Sequence, residues 1–233
     1  MMSRPSVIRG FAALLLVAAT LLPGAGWGQS LADIAKQVKT THIGLFGKPE
    51  MRAGAVDAVL KWKSVLDKMK AQKEQLKRCA VDAASCDPAT KAWHKIMGDV
   101  AGLDRMAQLK AVTIFFNKWP YKTDLENYHV VEYWATPVDF LIRSGMCHDY
   151  AITKFYALLE LGFSNDDMRI VALTDQIRGI GHAVLAVHMG NDFVILDNLS
   201  DLVMSHTRYP QYDPQFSVNE TTRWMHVASL MAK

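Results

Sequence analysis

Residues 147–161 form a helix-length run that is apolar on most sides. Ala151, Ile152, Phe155, Leu158 and Leu159 are spread around the helical wheel, and Gly162 is placed to end it. A helix with almost no polar face has to lie between other layers of structure. The pattern then changes from a helical period to strand-like runs at residues 168–174, 182–188 and 193–196. One buried helix followed by sequential strands predicts an α+β fold, with N-terminal helices and a central helix packed on an antiparallel sheet.

The chain before that helix is mostly helical in pattern. Val56, Val59, Leu60, Trp62, Leu66 and Met69 recur at three- and four-residue spacing, the stripe of an amphipathic helix running to about residue 75. A second helix is expected over residues 88–119, ended by the Trp119-Pro120 step, because proline restrains the residue before it. Residues 121–144 read as irregular. The first 28 residues have another reading: Arg4 and Arg9, an apolar run over residues 11–22, and a small-residue stretch before Gln29. That order predicts a signal peptide cleaved after Gly28 and an exported protein. The organisation expected is thus signal peptide 1–28, N-terminal helical region 29–120 and a core over 121–233, the last two forming one compact domain. Residues 1–28 carry two arginines and no acid, so the net charge falls from +3 to +1 on cleavage. A mature chain this close to neutral has no electrostatic footprint for nucleic acid.

Three cysteines carry information in an exported protein. Cys79 and Cys86 stand seven residues apart in a turn-rich segment, which predicts a local disulfide. Cys147 is left over, at the turn that leads into the buried helix. A thiol in the first helical turn meets unpaired N–H groups and the positive end of the helix dipole, and both favour thiolate. The strand pair downstream supplies partners. Residues 189–192 are turn formers, and a loop of two or four residues pairs His188 with Phe193 and Val184 with Asp197. His182 and Asp197 then share a face as diagonal neighbours, within side-chain reach. Cys147, His182 and Asp197 match the nucleophile, base and orienting acid of a cysteine hydrolase.

Several stretches together resemble a known family. They are Tyr133-Trp134-Ala135-Thr136-Pro137, the run from Gly145 to Lys154, Gly181-His182-Ala183-Val184-Leu185, and Leu196-Asp197-Asn198, with Asn117, Tyr121 and Asp124 further upstream. From about Phe46 onward the chain is similar to the bacterial transglutaminase-like cysteine proteinases, the LapG-like periplasmic proteases. The resemblance implies a papain/transglutaminase-like core, triad roles for Cys147, His182 and Asp197, and a periplasmic location. It also implies a protein substrate of the surface-adhesin kind, release of biofilm cells, and an inner-membrane regulatory receptor as a partner. Family members carry acids on both sides of the cysteine, as Gly-Asp-Cys-Glu-Asp, and these help to bind calcium. Here the flanks are Met146 and His148, with only Asp149 retained. Calcium needs several oxygen ligands, so the expectation is no cofactor and no metal site, the family calcium site being lost or weakened. His148 reads as solvent-exposed, and Trp134 as a packing residue.

The reading is a periplasmic thiol endopeptidase. Acyl transfer to an amine, as in a transglutaminase or amidase, uses the same nucleophilic half-reaction. A silent protein-binding module would keep the fold without the chemistry.

Overall fold

A computed structural model of the chain describes residues 42–81, 84 and 86–227. The expected signal peptide lies outside the described residues. So does the expected Cys79–Cys86 pairing, because the Cys79 side chain is not among those described.

Six α-helices occur among the described residues: α1 (Leu60–Val81), α2 (Pro88–Val100), α3 (Arg105–Phe116), α4 (Asp124–Tyr128), α5 (Pro137–Arg143) and α6 (Cys147–Glu160). The strands are β1 (His42–Ile43), β2 (Pro49–Arg52), β3 (Met168–Asp175), β4 (Ile180–Met189), β5 (Asp192–Leu196), β6 (Met204–Ser205), β7 (Tyr212–Val218) and β8 (Arg223–His226). They form one eight-stranded sheet, antiparallel throughout, in the order β1-β2-β8-β7-β3-β4-β5-β6.

Alternation along the strands divides the sheet into two apolar faces. Met168, Ile170, Leu185, Val187, Val194 and Leu196 join the helices in the main core, whereas Val171, Leu173, Val184, Ala186 and Ile195 pack with Leu45, Tyr209 and Tyr212 on the other side. The fold is the expected mixture of helices with a central helix on an antiparallel sheet. Helix α6 is buried over nearly its whole length and ends before Gly162, whose φ of +80° suits glycine. No helix of the described residues is long and apolar enough to cross a membrane.

Three local expectations are corrected. The helix expected over residues 88–119 is two helices, because Asp104 caps a new start by accepting the Ala107 N–H at 2.9 Å. Residues 121–144 contain two short helices, each begun by a reciprocal capping box: Thr123 with Glu126 and Thr136 with Asp139. Strands β1, β2, β6, β7 and β8 did not stand out in the sequence, being short or, in β7, interrupted by Pro214 at a register shift opposite Ala172/Leu173.

Candidate active site

The β4–β5 hairpin has a two-residue loop, Gly190-Asn191, with Met189 paired to Asp192, His188 to Phe193 and Leu185 to Leu196. This is one of the two loop lengths that place His182 and Asp197 on one face. Asp197 follows directly after β5, and its Oδ1 accepts a hydrogen bond from His182 Nε2 at 2.9 Å. Because a carboxylate only accepts, Nε2 carries the proton, and Nδ1 is the nitrogen left for the thiol. The Cys147 sulfur is close enough to His182 and to His148 to interact electrostatically with both.

Cys147 is the first residue of α6 and is the free, buried cysteine of the described residues. Met146, in the capping position, offers no side-chain acceptor to the first-turn N–H groups. Burial alone would raise the Cys147 thiol, but His148 and His182 outweigh it and bring it down to about 6. Burial alone would lower His182, and the Asp197 carboxylate and Cys147 sulfur lift it instead to about 9. Asp197 is held below the usual carboxylate range: burial opposes this, and hydrogen bonds from His182, Tyr212 and the Leu199 N–H prevail. These directions describe one state, a thiolate beside an imidazolium.

Asp197 is fixed from every side. Its Oδ2 accepts from the Tyr212 hydroxyl at 2.6 Å, and its Oδ1 also takes the Leu199 N–H at 3.0 Å. Its backbone carbonyl accepts from Lys154 Nζ at 3.1 Å and from Asn117 Nδ2 at 3.0 Å. Lys154 is seven residues, or two helical turns, beyond Cys147, so one face of α6 carries the thiol and a brace for the acid. The brace is costly: the fully buried amine is pushed down to about 7 by desolvation, with Asp197 opposing. Tyr212 and Lys154, which hold Asp197, were not singled out in the sequence. Tyr212 lies on β7, a strand whose pairing depends on distant β3. Lys154 sits in a helix that reads as apolar.

The surroundings of His148 are the main departure from expectation. His148 is buried, not solvent-exposed, since the Trp134 ring stacks on it at 5.5 Å between centroids. Its Nε2 lies 2.8 Å from the Tyr133 carbonyl, 3.2 Å from Asp149 Oδ1 and 3.7 Å from Asp124 Oδ2. Burial would lower this histidine, yet Asp149 and Cys147 hold it well above the usual histidine range. Asp149 itself accepts the Met146 N–H at 2.8 Å and the Ala135 N–H at 2.7 Å, so it fastens the start of α6 to the Trp134 segment. Asp124, His148 and Asp149 are the described residues whose potential ligand atoms gather as a metal site would, all within 4.8 Å of one another. Trp134 packs as expected, against Trp62 and His148. His188 is solvent-facing. The segment around Asp175 and Arg178 is a short turn closed by the Asp175 carboxylate, which accepts from the Ile177 and Arg178 N–H groups and from Arg178 Nε.

Comparison with known proteins agrees with this geometry. The family model described as bacterial transglutaminase-like cysteine proteinase (BTLCP) matches residues 69–231. Among solved structures, Legionella pneumophila LapG is similar at 26% identity, covering 65% of this chain and 86% of that one, with a TM-score of 0.57. Its calcium-bound form is similar at 25% identity, covering 68% and 93%, with a TM-score of 0.58. Its EGTA-treated form is similar at 25% identity, covering 66% and 86%, also with a TM-score of 0.58. No curated protein matches the chain by sequence. The fold, the family match and the likeness to LapG lead to one conclusion: the chain belongs to the bacterial transglutaminase-like cysteine proteinase family and is a cysteine peptidase.

Proposed function

We propose that the protein is a periplasmic endopeptidase in which Cys147, His182 and Asp197 form the catalytic triad, and that it cleaves an exported or surface protein of the adhesin kind. The single observation that carries this reading is the hydrogen bond from His182 to Asp197 Oδ1 at 2.9 Å, with Tyr212 closing the far end and Cys147 acting on the same imidazole.

In this mechanism Cys147 Sγ attacks the scissile carbonyl and the Cys147 N–H at the start of α6 donates a hydrogen bond to the developing oxyanion. His182 Nδ1 gives its proton to the departing amine, whose bond to the acyl carbon breaks. Asp197 keeps the imidazole in the tautomer that this needs. Water then attacks the thioester, with His182 taking its proton, and the free carboxylate leaves. Exposed apolar side chains at Ile180 and Leu199, each two residues from a triad member, suit a polypeptide substrate. Export by the signal peptide, a Cys79–Cys86 disulfide, a part in releasing biofilm cells and control by an inner-membrane receptor belong to the same proposal.

The family likeness also raises calcium, since LapG has a calcium-bound form. The residues here do not suit that ion. The Met146 side chain has no oxygen to give, and the Nε2–H of His148 points into the space between Tyr133 O, Asp149 and Asp124. An ion placed 2.3–2.6 Å from those oxygens would collide with the imidazole. No catalytic step is assigned to calcium.

The test is comparative proteomics of the exported fraction from cells carrying wild type or Cys147→Ala, with an added amine in parallel. New peptide ends that require Cys147 are expected, with free amines at the new N-termini and free carboxylates at the new C-termini. Amine-linked products in their place would assign acyl transfer, and identical peptide ends in both strains would remove the protease role.

A further inference from the structure

The cage around His148 is built for a positive centre. Three oxygens converge on its Nε2: the Tyr133 carbonyl at 2.8 Å, Asp149 Oδ1 at 3.2 Å and Asp124 Oδ2 at 3.7 Å. Two of the three belong to carboxylates that are almost completely buried. Buried carboxylates persist only where something positive or strongly donating faces them. Asp149 has two backbone donors, but Asp124 has only the Tyr133 N–H at 2.9 Å, and its Oδ1 is buried without a hydrogen-bond partner. No lysine or arginine forms an ion pair with either acid among the described residues; His148 does so with both.

The cage also has a mechanical role. It joins Asp124 of α4, the Tyr133–Ala135 segment and the first turn of α6, three pieces of chain that meet beside the nucleophile. An imidazole whose Nε2–H faces those oxygens ties the three pieces together one residue from Cys147.

We propose that the His148 side chain is a built-in cation, taking beside the nucleophile the place that a divalent ion would otherwise fill, so that the assembled site needs no metal. The proposal rests on the reading of Cys147 as the nucleophile, and goes beyond it by assigning His148 the charge and the bracing that a bound ion would supply. A glutamate at the same position would remove the N–H donor and return an oxygen donor, leaving a cage of oxygens with no positive centre. Such a cage is what calcium binds.

The experiment compares full-length wild type, His148→Glu, His148→Ala and His148→Gln in calcium chloride and in EGTA. It reads calorimetric calcium binding, thermal melting and the rate of Cys147 alkylation by iodoacetamide. None of these readouts needs the substrate, so they judge His148 separately from the proteolytic role; a Cys147 thiol equally slow in wild type and in His182→Ala would count against the triad instead. Wild type is expected to take up no calcium and to melt and alkylate identically in both buffers. His148→Glu is expected to bind calcium, to melt several degrees higher with it, and to alkylate about tenfold more slowly in EGTA than in calcium. His148→Ala is expected to lose alkylation rate in both buffers. If His148→Glu does not fold in EGTA but folds in calcium, the proposal also stands. If it folds in neither, His148→Gln decides, because its amide keeps a donor without the charge: a thiol slower than wild type supports the proposal, and one as fast as wild type overturns it. Calcium uptake by wild type, or a His148→Glu protein that folds and ignores calcium, also overturns it.

Discussion

At the scale of single residues, the proposed triad makes the reactivity of Cys147 depend on how firmly Asp197 is held. Asp197 accepts from His182, Tyr212 and the Leu199 N–H, while Lys154 and Asn117 hold its carbonyl. The Tyr212 hydroxyl draws part of the carboxylate charge away from His182. Tyr212→Phe removes that bond and concentrates charge on the imidazolium, so the His182 titration should move upward from about 9. Asp197→Asn removes the charge altogether, so the same titration should move down towards the ordinary histidine range, with a loss of about 10³–10⁴ in turnover. An NMR titration of the His182 ring reads both variants; shifts of the same sign would contradict the assigned roles. The placement of Cys147 at a helix start and of His182 beside Asp197 was legible in the sequence, because a turn and a hairpin register are local signatures. Tyr212 was not, since its place beside Asp197 follows from β7 pairing with β3 across 37 or more residues of chain. His148 was misread because its burial comes from Trp134 and Asp124, which no local pattern connects to it.

At the scale of elements, the start of α6 does most to shape the site. Gly145 precedes it, and a Cβ there would stand 2.2 Å from Asp149 Oδ2. The glycine is required by this close approach of a carboxylate that caps Met146 and holds Ala135. Gly145→Ala should therefore displace Asp149, cost about 1–3 kcal/mol in urea unfolding, and slow Cys147 alkylation in the folded protein. An unchanged alkylation rate would separate the cap from the nucleophile. The β4–β5 hairpin was readable because a two-residue Gly190-Asn191 loop fixes the register of everything behind it. The short helices α4 and α5 were present in the sequence as capping boxes, at Thr123/Glu126 and Thr136/Asp139. They are too brief for a hydrophobic period to reveal them.

For the whole molecule, the helical layer and the sheet are joined through Trp62. This fully buried residue of α1 contacts the rings of Trp134, Phe155 and Tyr156, and its Nε1 donates to the Asn219 carbonyl at 2.8 Å. It thereby links α1, the Trp134 segment, α6 and the end of β7. Trp62 lies just outside the stretch matched by the family model, yet Trp62→Ala should cost about 3–5 kcal/mol in denaturant unfolding; a loss below about 1 kcal/mol would mean that α1 packs loosely. The overall class was legible because a helix apolar on most sides followed by strands has few solutions. The far edge of the sheet was not, because β1, β2 and β8 are two to four residues long and the β2–β8 pairing joins opposite ends of the chain.

The central claim is that Cys147 is a thiolate held by His182 at physiological pH. The pH dependence of iodoacetamide alkylation tests it without any substrate. The rate should rise as pH rises through about 6 and be level by neutral pH, because the thiolate has already formed there. In His182→Ala the rise should move up towards the ordinary thiol range. A wild-type midpoint at an ordinary thiol value, or one that His182→Ala leaves in place, would contradict the account.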